Sequence, residues 1–221
     1  MKIRSRGSKL AINASFVETA SQTASDLILS SSPGVVPALC VNSSVFLLGL
    51  PVLLGGLTPA GVAHSWFLGT MVFGAFGGRG YLLVCIYFIL GSAVTKLKLK
   101  QKQAEGIAEA RSGRRSPASV WGSGIAGVAC AIAALSTPST SLQYLFRIGF
   151  IASFTSKLSD TVSSEVGKAY GKTTYLSTTF KTVPRGTEGA VSLEGTVAGA
   201  GAAVPILVGM LPFKYRPHSI A

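Results

Sequence analysis

Six apolar stretches, at 36–56, 58–77, 80–96, 119–136, 141–157 and 190–211, take up most of this 221-residue chain. Each is near the ~20 residues that a helix needs to cross a bilayer core; the shorter ones need a thinned bilayer or snorkelling ends. The expected fold class is therefore all-α: a polytopic helical membrane protein with about five to six transmembrane helices. Leu50-Pro51 and Gly55-Gly56 are candidate kinks in the first stretch. Gly122, Gly124 and Gly127 mark one small-residue run, and Gly195, Gly199 and Gly201 another. The Gly195–Gly199 pair has the GxxxG spacing that lets helices approach closely in lipid.

Composition agrees. Hydrophobic residues are 48% of the chain and charged residues 13%, against about 25% charged in a soluble domain. The net charge of +12 belongs in loops facing an anionic leaflet. Long apolar runs separate the basic residues, so no single face is left for nucleic acid. Membrane lipids are the expected surroundings, and oligomeric state is open. Cys40, Cys85 and Cys130 lie inside apolar runs with no metal-pair spacing and read as small buried hydrophobes.

The polar remainder divides the chain. Residues 1–33 open with Lys2, Arg4, Arg6 and Lys9, are rich in serine and hold no acid before Glu18. They read as a transit-peptide-like or disordered segment, and the transit reading points to a plastid membrane. Residues 34–212 form the membrane domain, interrupted by polar loops at 96–118 and 158–189, and 213–221 is a tail. The first loop carries Lys96, Lys98, Lys100, Lys102, Arg111, Arg114 and Arg115 against Glu105 and Glu109. By the positive-inside rule it faces the cytosol or stroma. Two spans follow it, so the second loop returns to the same side. Lys214 and Arg216 in the tail would then lie opposite.

Chemistry concentrates in the second loop. Asp160, Glu165, Glu188 and Glu194 are half of the chain's eight acids, and ionisable groups at a membrane edge are costly enough to mark function. If 157–170 is helical, Asp160, Ser163, Ser164 and Gly167 share one face, a surface fit for a hydrated magnesium ion. Glu165 then points about 140° away. The stretch GKAYGKTT at 167–174 imitates a phosphate-binding loop, G-x-x-x-x-G-K-[ST], but Val166 stands where its first glycine belongs. Beyond it come Lys181 and Pro184-Arg185-Gly186-Thr187-Glu188-Gly189. Glycines there let amides approach an anion, and Arg185 can grip phosphate. Thr187 is also a candidate cap for a helix beginning near 188. The two histidines, His64 and His218, fall outside this region, which leaves no histidine base. Phosphoryl transfer needs mainly positioning and charge stabilisation, and an acceptor that is already a phosphate needs no strong base.

SDTVSSEVGKAYGK, followed by KTVPRGTEGAVSLEGTVAG, resembles the integral membrane family that includes transmembrane protein 19 of animals. The plant member of that family is a phytyl-phosphate kinase of tocopherol synthesis. The segment GRRSPASVWGSGIAG is similar as well, and the likeness covers roughly 36–211. A weaker similarity ties Asp160, Gly167, Lys168, Gly171, Lys172, Pro184, Thr187, Glu188 and Gly189 to CTP-using lipid enzymes, dolichol kinase and phosphatidate cytidylyltransferase.

The resemblance implies a nucleoside triphosphate donor, CTP or another, magnesium, and an isoprenoid phosphate acceptor. Asp160, Lys172, Arg185 and Glu188 form the implied catalytic set. Asp160 with Glu165 would hold the metal, and Glu188 and Glu194 would share it or orient the cations. Lys168, Lys172, Lys181 and Arg185, with Arg114 and Arg115, would neutralise phosphates. Family members continue past PFKYRPHSIA with another polar motif, so a shortened and inactive form is one expectation. A non-enzymatic transporter with its acids along an aqueous path, or a GxxxG-assembled scaffold, are the alternatives.

Overall fold

A computed structural model describes Gln22 and residues 32–210, the last four by backbone alone. Most of the 1–33 segment and the whole 213–221 tail, with Lys214 and Arg216, thus lie outside the described residues. Helix α1 spans Val35–Gly56 and runs through Pro51 without ending. Helix α2, Pro59–Thr95, starts where the Thr58 hydroxyl accepts from the Gly61 N–H at 3.1 Å, with proline in its first turn.

Gly77 breaks α2 with φ 65° and ψ −166°, a combination essentially restricted to glycine. The chain reverses there. Gly61 and Gly91 both pack against Arg115, although 30 residues of straight helix would hold them about 45 Å apart. Leu68 and Tyr87 likewise both reach the Ser123–Gly124 step. The two apolar runs expected at 58–77 and 80–96 are therefore the arms of one helical hairpin, each close to one membrane crossing in length.

After α2 come a short helix α3 (Leu99–Ala104), a 3-10 turn (Ala110–Gly113), α4 (Pro117–Ser136), α5 (Thr140–Tyr170) and α6 (Leu193–Met210). Among the described residues three helices, α1, α2 and α4, are long and apolar enough to cross a membrane by length and composition. Helix α5 outlasts its apolar run. Phe150, Phe154, Leu158, Val162, Glu165 and Ala169 are all buried along it, a spacing of three to four that keeps one stripe against the core. Residues 158–170, treated in the sequence as the opening of a polar loop, thus remain helical, and the irregular segment begins at Gly171.

That segment holds a small antiparallel ribbon in an otherwise helical fold. Strand β1 (Thr174–Leu176) pairs with β2 (Ala190–Ser192), Thr174 opposite Ser192. The cap of α6 is Ser192, whose hydroxyl accepts from the Gly195 N–H at 3.1 Å. Thr187 is not that cap, because 190–192 is strand; its hydroxyl donates to the Pro184 carbonyl at 2.7 Å and closes a turn.

The core lies between α2, α4 and α5. Phe76 stacks on Phe150 at 4.6 Å, and Phe154 meets both Phe150 and Tyr87. Gly124 and Gly127 leave room for Leu68 and Phe154. Gly195 and Gly199 rest on the Ser163 and Ser159 carbonyls, so the GxxxG pair seats α6 on α5. The cysteines are not buried: Cys40 is exposed, and Cys85 and Cys130 are half-buried.

Candidate functional site

The two polar segments meet at one end of the bundle. Lys102 on α3 inserts its ammonium against Glu165 of α5 at 2.5 Å and also donates to the Thr95 carbonyl at 2.8 Å. Lys168, one turn further along α5, donates to the other Glu165 oxygen at 3.2 Å and lies 3.8 Å from Glu109. Arg185 reaches back to Glu105, one guanidinium nitrogen lying 2.6 and 2.7 Å from its two oxygens. Gly186, at φ 87°, packs directly on Ile107. The Gln101 amide, followed by Arg185, holds the Glu105 carboxyl below the usual carboxylate range.

Two polar cavities open at this end. One, of about 310 Å³, is lined by Arg111, Arg114, Arg115, Ser119, Ser123 and Lys157 on the side of the first loop. The other, of about 430 Å³, is lined by Gly167, Lys168, Thr174, Ser192 and the turn Arg185–Gly189. Asp160 and Ser164 border both. Asp160 is about two-thirds exposed and pairs with Lys157 at 2.9 Å. The helical continuation of α5 places Asp160, Ser163, Ser164 and Gly167 along the second cavity together.

The arginines of the first cavity are fixed by backbone contacts. Arg115 donates its N–H to the Gly56 carbonyl at 2.9 Å and accepts from the Thr58 N–H at 3.0 Å. Arg114 donates through Nε and Nη2 to the Leu57 carbonyl. The Arg115 guanidinium lies over the Tyr87 ring at 4.6 Å and donates to the Tyr87 hydroxyl at 2.5 Å. Tyr87 in turn donates to Ser123 at 2.7 Å.

Several residues singled out in the sequence stand elsewhere. Lys172 and Lys181 are exposed and border neither polar cavity. Glu194 also stands outside both and accepts from the Lys172 N–H at 3.4 Å. Pro184 shapes its turn from outside the cavity through its carbonyl. Gly171 closes the end of α5, where a Cβ would crowd the Gly167 carbonyl at 2.5 Å. Both oxygens of Glu165 are taken by lysines.

Tyr87, Ser123 and Lys157 were missed. Tyr87 and Ser123 sit inside apolar runs of two different helices, α2 and α4, and are joined to Arg115 through the Tyr87 hydroxyl. For Lys157, its place three residues before Asp160 was the available signal.

For magnesium, the carboxylates that border the second cavity are Asp160 and the exposed Glu188; the first cavity also carries Glu109, 3.8 Å from Lys168, and Glu165, whose oxygens both face lysines. Among the described residues no group of three or more His, Cys, Asp or Glu could hold a metal ion alone. One or two carboxylates completed by substrate phosphates is a usual magnesium donor set, and Asp160, Glu188 and the Ser163 and Ser164 hydroxyls fit it.

Comparison with known proteins agrees with this architecture. The chain is 55% identical over 174 residues to "Protein VTE6, chloroplastic" of Arabidopsis thaliana, covering 78% of this chain and 52% of that protein. It thus spans about half the length of that relative. It is 51% identical over 183 residues to an uncharacterised membrane protein of Synechocystis, covering 80% of this chain and 70% of the relative. A third relative, an uncharacterised membrane protein of Methanocaldococcus jannaschii, is 34% identical over 154 residues, 69% of this chain and 61% of its own length. No solved structure matches. The profile of the family described as "Integral membrane protein DUF92" matches residues 42–218, and with the helical bundle above it establishes that this chain belongs to that integral membrane family.

Proposed function

We propose that this protein is a membrane prenyl-phosphate kinase, transferring the terminal phosphoryl group of a nucleoside triphosphate, CTP or another, to phytyl phosphate. The observation that carries the reading is the position of Asp160, on the border between an arginine-lined cavity and a cavity built from glycines, Lys168 and the Arg185–Gly189 turn. Two anionic substrates need two cationic or amide-rich pockets with a common wall, and this face has them.

Arg114 and Arg115, rigid on the backbone of the α1–α2 junction, hold the acceptor phosphate. Lys168 and the amides around Gly186 and Gly189 hold the donor phosphates. An acceptor phosphate oxygen forms a bond to the γ-phosphorus, and the bond from that phosphorus to the bridging oxygen of the nucleoside diphosphate breaks. The acceptor is already anionic, so the absence of a histidine from the cavity linings is no obstacle. Asp160 and Glu188, together with the phosphates, would hold a magnesium ion, which would supply charge neutralisation. The VTE6 relative is chloroplastic by name, which favours a plastid membrane and synthesis of tocopherol and phylloquinone side chains.

A transporter would hold its acids near mid-bilayer, away from cations. Here Asp160 pairs with Lys157, Glu165 with two lysines and Glu105 with Arg185, all at the loop-bearing end, which favours surface chemistry over a transport path.

The test is a transfer assay in lipid nanodiscs with magnesium, phytyl phosphate and each γ-labelled nucleoside triphosphate in turn, Arabidopsis VTE6 run alongside. Labelled phytyl diphosphate is the expected product. Product from VTE6 and none from this chain with any donor would overturn the reading for this chain.

A further inference from the structure

A third cavity, of about 300 Å³, lies between α1 and the arms of α2. Its walls are Phe46, Val52, Leu53, Val84 and Phe88. Val45, Val52 and Ile89 are exposed at its side, where a bilayer would surround the bundle. The cavity is not isolated from the polar site: Arg115, Tyr87 and Ser123 border it and the arginine-lined cavity alike. Arg115 spends Nη1 on Tyr87. Its Nε and Nη2 make no hydrogen bond among the described residues, so guanidinium donors remain at the apolar mouth.

We propose that this cavity takes the hydrocarbon tail of the phosphorylated acceptor, its phosphate on Arg115, and that Tyr81 and Gly49 set which tails fit. The assignment rests on the kinase reading for the identity of the phosphate, and on geometry for the tail. An amphiphile with one anionic end and one long apolar body matches a guanidinium at the mouth of an apolar slot open to lipid. Gly91 packs on Arg115, and Tyr81 lies ten residues earlier on the same helical arm, about 15 Å deeper.

Tyr81 is a pinned wall. Its hydroxyl donates to Asn42 Oδ1 at 2.6 Å, and the fully buried Asn42 donates onward to the Trp66 carbonyl and Thr70 hydroxyl. A phenol locked into a buried polar network does not swing aside for a longer chain. Gly49, also on the lining, has no atom within 4 Å of where a Cβ would stand. A larger side chain there projects into the slot without displacing the fold.

The experiment compares phytyl phosphate with geranyl phosphate, half its chain length, in the wild-type protein and in Gly49→Phe. The substitution is expected to lower the phytyl-to-geranyl ratio of kcat/KM by about tenfold or more, the scale on which apolar pockets discriminate by size. Equal loss on both acceptors, or no change in the ratio, overturns the assignment. A second readout needs no turnover. A phytyl phosphate analogue carrying a diazirine at its tail end is photolysed without nucleotide, beside a diazirine-tailed phospholipid. Labelling of 45–53 and 81–89 by the phosphate analogue, diminished in Gly49→Phe, supports the site even where transfer fails. Equal labelling of those segments by the phospholipid shows that bulk lipid fills the slot and overturns it.

Discussion

Lys102 and Glu165 meet at 2.5 Å with their side chains 1% and 3% exposed, one from each polar segment. Removing one member of such a pair strands a buried charge, which costs about 3–5 kcal/mol, whereas replacing both with apolar groups of similar size is often neutral. Lys102→Met is therefore expected to lower the thermal unfolding midpoint sharply in detergent. Lys102→Met with Glu165→Leu is expected to recover much of the loss. Glu165→Gln is expected to shift that midpoint more than it shifts magnesium dependence.

Asp160 presents the contrasting case. Its contact with Lys157 is exposed, and such pairs contribute about 0–1 kcal/mol. Asp160→Asn should leave the unfolding midpoint within a degree or two of wild type while lowering kcat by about 10²–10³, the usual loss when one electrostatic group at a reacting centre is removed. Wild-type turnover by Asp160→Asn would remove it from the chemistry.

The lysines of the near-miss phosphate loop divide by position. Lys168 lines the second cavity and Lys172 does not. Lys168→Ala is expected to raise the nucleotide KM at least about tenfold, a charge-assisted contact contributing about 1.5–3 kcal/mol. Lys172→Ala should stay within about twofold. Steady-state titration of the donor separates the two.

The turn Arg185–Gly189 should respond to acid. Glu105 has a lowered pKa in the folded protein. Its contribution is therefore fully present above the ordinary glutamate value of about 4.3 and disappears as pH falls through the lower folded value. Hydrogen exchange of the Thr187 amide, which donates to the Pro184 carbonyl, should, corrected for the intrinsic rate, be faster below about pH 4 than at pH 7. Glu105→Gln should accelerate it already at pH 7.

Gly77 carries the reversal of α2. An alanine there would be forced into a backbone region almost closed to it, at a cost of about 1–3 kcal/mol. Gly77→Ala is expected to lower the unfolding midpoint, and Gly49→Ala, in open space on a helix, should leave it equal or higher. Paired melts of the two variants check this.

The apolar runs made the helices readable, because length and hydropathy are local quantities. The hairpin within α2 was half readable: two runs were separable at 77–80, while the contact of Gly61 and Gly91 through Arg115 is not encoded in either run. On α5, the face from Asp160 to Gly167 was readable from helical spacing alone. The Lys102–Glu165 and Arg185–Glu105 pairs join residues 63 and 80 positions apart, and no periodicity reports such distances. Lys172 stands outside both polar cavities for a physical reason. Gly171 ends the helix, and the side chain that follows is aimed by that turn and not by its resemblance to a phosphate loop.

The reversal at Gly77 also gives the molecule a sidedness. Gly34, at the start of α1, bonds to Gly74 beside the bend, while Leu57, Arg115, Asp160 and the β-ribbon gather at the other end. Asp160 borders both polar cavities at that end. Water-soluble compounds would then reach it from one compartment alone. In vesicles carrying the protein in a single orientation, a membrane-impermeant reagent for Asp160 should act from one side of the bilayer and be inert from the other.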